Sequence, residues 1–236
     1  MIEQNFMNTA AMSPGRRARI CLFALSGILT LQAAGRRAGF DNDWRFLKGD
    51  PPGAEQPAFD DAAWRKLDLP HDWAIEGPFD SALNPNTGGL PISGIAWYRK
   101  HFTIPTAAKE NYYTIEFDGA MSNSKVWLNG VELGGRPYGY SSFALDLTPH
   151  LRPGQENVIA VRLAPEENSS RWYPGAGLYR NVWLTTTGPV HVDHWGTYVT
   201  TPEVSTSAAT VSFRADIRNR RPRGRPSIRQ HHGVAR

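Results

Sequence analysis

Short runs rich in β-branched and aromatic residues, separated by Gly, Pro, Asn and Asp, recur from Trp97 to Ile217 and constrain the fold more than any other feature. They are Trp97–Thr103, Tyr112–Asp118, Ser124–Leu128, Phe143–Leu147, Asn157–Leu163, Asn181–Thr187, Gly196–Thr201 and Ala209–Ile217. Several alternate apolar with polar side chains, as Ile115 and Phe117 do around Glu116, which is the period of a strand buried on one face. Asn129-Gly130 stands between Lys125–Leu128 and Val131–Leu133, a pair suited to a two-residue hairpin because both central positions take positive φ. No segment carries a long, capped 3.6-residue periodicity. Phe59–Leu67 comes nearest and reads as one or two helical turns with Asp60 or Asp61 at the start. Many short strands with Gly and Pro punctuation predict an all-β chain, a sandwich or jelly roll.

The 236 residues carry a formal net charge of +4, which by itself would suggest an anionic partner. The positive charge is segregated at the two ends. Residues 1–37 hold five Arg and one Glu, and residues 218–236 hold seven Arg and no acid. What is left, residues 38–217, has 14 basic and 21 acidic residues, a net charge of −7. Arg16, Arg17 and Arg19 precede the 12-residue apolar run Ile20–Leu31, and Ala33, Ala34 and Gly35 follow. That order predicts a secretory signal over 1–37 and an exported protein, periplasmic or secreted. The run is shorter than the roughly 20 residues of a membrane-spanning helix.

A Gly-Pro break at Thr187-Gly188-Pro189 closes a first domain, residues 38–187. Residues 188–217 have room for about three strands, whereas an immunoglobulin-like sandwich needs about seven. After Ile217 the alternation gives way to an Arg- and Pro-rich stretch, which reads as a disordered tail over 218–236 of the kind a frame shift produces. The tail has no aromatic residue to stack on a base, so no nucleic-acid partner is expected. The single cysteine, Cys21, excludes a disulfide framework and Cys-based zinc sites. No His-rich metal motif, phosphate loop or nucleophile elbow is present, so neither a metal nor another cofactor is expected.

Two loop clusters combine aromatics, Gly and planar polar groups. One runs from Leu69-Pro70-His71-Asp72-Trp73 through Asn84–Gly89 to Gly94–Lys100, and the other covers Asn168–Val182. A sugar presents C–H faces that stack on flat apolar rings and adjacent hydroxyls that planar polar groups bridge. Trp beside Arg or Asn in a loop supplies both, and loops on a rigid scaffold are where binding residues concentrate. Trp97, Trp127 and Trp183 fall in strand patterns and read as core. Trp172, in a Pro- and Gly-rich loop, reads equally as plug or platform. His71 and Asp72, beside a Pro at a turn, read as structural.

Pro70-His71-Asp72-Trp73, Gly94–Lys100, Asp118-Gly119-Ala120 with Val126–Gly130, Gly139-Tyr140 and Ser170–Leu184 together make the chain resemble the N-terminal sugar-binding domain of glycoside hydrolase family 2, in its β-galactosidase-like branch. The resemblance covers about residues 40–187. It implies a galactose-binding-like jelly roll, then an immunoglobulin-like sandwich, of which residues 188–217 would be the first strands and so an incomplete part, and a (β/α)8 barrel carrying two catalytic glutamates. It also implies a β-galactoside-like carbohydrate as partner, with the rim of the sugar pocket formed by Arg171, Trp172, Asn84 and Asn86. No catalytic residue is expected in this chain, and the chain alone is expected to be inactive. Glu166-Glu167 is not a catalytic pair, because adjacent residues of an extended chain face opposite ways, whereas a retaining pair converges at about 5 Å. The alternative reading is a stand-alone carbohydrate-binding module or lectin.

Overall fold

The structure, a computed structural model, describes residues 35–106 and 110–220, and the backbone of 233–235. It is all-β and antiparallel. A six-stranded sheet has the order β3-β2-β4-β9-β6-β7, formed by β2 (Trp44–Lys48), β3 (Arg65–Leu67), β4 (Ala96–Thr103), β6 (Ser124–Leu128), β7 (Val131–Arg136) and β9 (Glu156–Leu163). A four-stranded sheet has the order β1-β10-β5-β8, formed by β1 (Arg36–Gly39), β5 (Tyr112–Phe117), β8 (Phe143–Asp146) and β10 (Val182–Thr187). Ile115, Phe117, Leu128, Ile159, Leu163 and Val182 belong to the main core that joins the two sheets in a sandwich. The alternation of the sequence is the cause, since each strand turns every second side chain inward.

The hairpin at Asn129-Gly130 joins β6 to β7, with φ of +53° and +85° at its two central residues. Leaving the last strand of the sandwich at Thr187, the chain enters a ribbon of β11 (Val190–Val204) and β12 (Ala209–Asn219), with β13 (Gly233–Ala235) along the outer side of β12. Two long strands thus take up the stretch expected to hold about three. In β12 the ladder runs two residues past Ile217, with Arg218 opposite His191. Arg218 pairs with Asp193, and Arg220 pairs with Asp146 on the sandwich. At the other end, Arg36 and Arg37 lie in β1, opposite Thr186 and Thr185. The rest of the expected signal, with Cys21, and the remaining tail residues lie outside the described residues.

Strand β4 is covered on both faces. Tyr98 belongs to the main core, while Trp97 lies with Ala54, Trp64 and Ala160 in a second cluster under the segment before β3. Trp97 stacks on Trp127 at 5.2 Å. Trp183, by contrast, is only half-buried; its indole N–H donates to Asp118 (2.8 Å) and Arg37 covers its ring. The segment 59–64 does not form the expected helical turns. It folds as turns because Asp61 is drawn inward as the partner of Arg99, 2.7 Å away, and of Arg45 and His101. Asp61 is 2% exposed and Arg99 0%. Burial would raise the Asp61 carboxyl, but hydrogen bonds from Arg99 and His101 prevail and hold it below the usual carboxylate value.

Removing one partner of a buried ion pair strands the other, so Asp61→Ala should cost about 3–5 kcal/mol in urea unfolding. With its folded pKa lowered, Asp61 contributes stability present above its unfolded pKa and lost as pH falls through the folded one. An Asp61→Ala protein as stable as the parent would contradict this account.

Candidate functional site

The loop before the first short helical turn is pinned against the loop before β10. The His71 N–H donates to the Leu178 carbonyl (2.9 Å) and the Trp73 N–H to that of Ala176 (3.0 Å). From the other side, Met121 and Gly177 exchange backbone bonds of 2.9 and 3.0 Å. Gly177 is required at this crossing. Its φ is +131°, and a Cβ would lie 2.4 Å from the His71 carbonyl oxygen and 2.6 Å from the Tyr98 hydroxyl.

Asp72 fastens the same junction with both carboxylate oxygens. Oδ1 accepts the N–H groups of Ala74 and Ala176, each at 3.0 Å, and Oδ2 accepts the Tyr173 hydroxyl at 2.6 Å. Burial, and then the Asp72 carboxylate, push the Tyr173 hydroxyl well above its ordinary range. The two ring nitrogens of His71 lie 2.7 Å from the Tyr98 hydroxyl and 3.2 Å from Glu76, whose carboxylate also binds Arg65 at 2.7 Å. Burial lowers the His71 pKa, and Glu76 only partly opposes it. Perturbed groups in a cluster can mark a catalytic site. Here both nitrogens of His71 and both oxygens of Asp72 are occupied by protein partners, so the cluster is structural.

The 165–173 loop reaches this junction through Tyr173 and meets the 84–89 loop at Asn168. A 3-10 turn at Pro85–Thr87 is capped by Asn84, whose Oδ1 accepts the Asn86 N–H at 2.9 Å. The other end of the Asn84 amide donates to Asn168 at 3.3 Å, tying the 84–89 loop to the 165–173 loop. Asn84 therefore acts as a brace, while Asn86 is exposed beside it. Trp172 is 59% exposed, and its indole N–H donates to the Tyr140 hydroxyl at 2.8 Å. Arg171 is exposed and makes no hydrogen bond or ion pair among the described residues. Arg180 instead lies over Gly119, its Cδ within 2.9 Å of where a Cβ would be. Glu166 and Glu167 are exposed in a turn that Ser169 closes by donating to the Glu166 carbonyl at 2.8 Å.

The charged cleft between the ribbon and the four-stranded sheet is a weaker candidate. Its cations are matched by its own anions, Arg37 with Glu116 at 3.3 Å, Arg218 with Asp193 and Arg220 with Asp146. Among the described residues no group of three or more His, Cys, Asp or Glu is placed to hold a metal.

Residues 78–188, which hold both loops, match the family described as glycosyl hydrolases family 2, sugar binding domain. The chain carries this sugar binding domain. It is 52% identical over 186 residues to the beta-galactosidase BoGH2A of Bacteroides ovatus, covering 78% of this chain and 22% of that protein. It is 33% identical over 203 residues to a beta-glucuronidase of Formosa agariphila, covering 76% and 21%. A glycosyl hydrolase family 2 structure from Bacteroides cellulosilyticus superposes with a TM-score of 0.74 at 38% identity, over 78% of this chain and 25% of the other. The chain spans about a fifth of the length of these curated relatives.

Within the domain, the sequence-based choice of Asn84, Asn86, Arg171 and Trp172 passed over Asn168, Tyr138 and Tyr140, which adjoin them through Asn84, Tyr140 and Trp172. Two tyrosines in a Pro-Tyr-Gly-Tyr turn just after a strand were the available signal.

Asp72→Ala leaves the Ala74 and Ala176 N–H groups and the Tyr173 hydroxyl without their acceptor. It should cost about 1–3 kcal/mol, and hydrogen exchange should quicken at those two amides first. Because the folded pKa of His71 is lowered, stability should be full above the unfolded value of 6.5 and fall as pH drops below it. His71→Gln should remove that part of the pH dependence in urea titrations.

Proposed function

We propose that this domain binds the sugar for an exported, β-galactosidase-like glycoside hydrolase and does not itself cleave the glycosidic bond. The hydrogen bond between Asn84 and Asn168 carries this reading, because it puts the 84–89 and 165–173 loops on one edge with Arg171 unpaired and Trp172 open to solvent. Arg171 bridges adjacent sugar hydroxyls as a planar donor, Asn86 offers a second amide, and Trp172 provides the wall. The two-sheet sandwich that holds these loops is read as a jelly roll. Hydrolysis in this family's retaining manner takes two carboxylates about 5 Å apart. We assign them to a part of the whole enzyme outside the described residues. The higher identity to a protein named as a beta-galactosidase favours a galactoside over a glucuronide.

An edge without the rest of its pocket binds weakly. Methyl β-galactoside should shift the Trp172 indole resonance of the purified chain with a Kd on the order of 1 mM. Arg171→Ala should weaken that several-fold, and nitrophenyl β-galactoside should not be turned over. Hydrolysis by the purified chain would overturn the assignment, and micromolar affinity would make it a stand-alone lectin. Tighter binding of methyl β-glucuronide than of the galactoside would overturn the choice of sugar.

A further inference from the structure

Tyr138 and Tyr140 extend the aromatic surface away from Trp172. Tyr138 is 61% exposed, and its ring centroid lies 5.4 Å from that of Tyr140 with the planes tilted by 58°. Tyr140 in turn accepts the Trp172 indole N–H. Three rings are therefore connected in series, Trp172 to Tyr140 by a hydrogen bond and Tyr140 to Tyr138 by ring contact, from the proposed sugar-binding edge into the turn after β7.

The turn that bears them is held fast by polar and steric contacts beneath. The Asn123 N–H donates to the Pro137 carbonyl at 3.0 Å, and the Tyr179 hydroxyl donates to that of Gly139 at 3.1 Å. Gly139 is pressed on Met121, so closely that a Cβ would come within 2.5 Å of its sulfur. Fixing a turn in this way while leaving its largest apolar side chain in water does nothing for the stability of the domain. It does hold the backbone from which the ring projects in one place, which lowers the entropy lost when a ligand stacks on it.

We infer that Trp172, Tyr140 and Tyr138 form a ladder for successive sugar units, so that the carbohydrate recognised is an oligosaccharide or polysaccharide chain rather than a lone terminal sugar. This rests on the sugar-binding reading of the Trp172 edge and deepens it. The chemistry of the surface selects a neutral glycan, since flat rings offer C–H stacking and the tyrosine hydroxyls offer hydrogen bonds at the ring edges. Arg171 and Asn86 fix the unit at the inner end, and each further ring supports a unit beyond it.

The test compares two probes, methyl β-galactoside and β-1,4-galactotetraose, by following the Trp172 indole N–H resonance of the purified chain. The tetrasaccharide should bind about tenfold more tightly than the monosaccharide, as expected for one or two added stacking contacts. Tyr138→Ala should bring that ratio down towards one, and Tyr138→Phe should keep most of it. Because Tyr138 is largely exposed, its truncation leaves the core intact, which an unchanged urea midpoint would verify. Equal affinities in the parent protein would overturn the ladder while leaving the Trp172 edge as a sugar site, and would assign the tyrosines to packing against another domain. A ratio that survives Tyr138→Ala would overturn the ladder as well. Neither sugar moving the Trp172 resonance would overturn the ladder together with the function it rests on.

Discussion

The crossing of residues 71–73 with 176–178 is the constraint on which the loop edge bearing Arg171 and Trp172 depends. A loop site has no ladder of its own, so its geometry is only as good as the points where it is tied down. Here the tie is a close backbone approach that only a residue without a side chain permits, at Gly177, reinforced by a carboxylate, Asp72, that accepts from both loops. Tyr98, at the centre of the six-stranded sheet, touches this junction through His71. The sandwich core thus reaches the loop crossing through one buried ring and one imidazole. Arg171 and Trp172 can be left open because their neighbours are so firmly held.

A second constraint lies under the opposite face of β4. Arg99 and Asp61 form a buried pair where an apolar filler would usually stand, and Arg45 and His101 close around it. Such a pair adds little over well-packed hydrocarbon, but it tolerates no partial arrangement, because either charge left alone is costly. It thereby fixes where the segment before β3 returns to the sheet.

The strands were legible in the sequence wherever one face meets the core and the other meets water. The stretches from Tyr112 to Phe117 and from Ser124 to Leu128 alternate visibly, and Asn129-Gly130 marks its own turn through the positive φ of both residues. What the sequence hid follows from burial that breaks the alternation. Asp61 looks like a helix cap because an isolated acid gives no hint that an arginine 38 residues away is buried beside it. Strand β2 was passed over, although Trp44 and Phe46 face the core with Arg45 between them. Of the rim residues, Arg171 and Trp172 are as open as a loop position suggests. Asn84 faces Asn168 because of a contact across 84 residues of chain, which local pattern cannot express. Gly139-Tyr140 is legible as a motif, but that Tyr140 meets Trp172 depends on a contact across 32 residues of chain.

The ribbon of β11 and β12 meets the sandwich differently from the way the two sheets meet each other. Between the sheets lies hydrocarbon, whereas the end of the ribbon crosses to the sandwich through a partly exposed ion pair, Arg220 with Asp146. Contacts of that kind weaken as mobile ions screen them, while buried apolar contacts do not. The Arg220–Asp146 crossing therefore loosens as the ionic strength of the medium rises, while the contact between the two sheets does not.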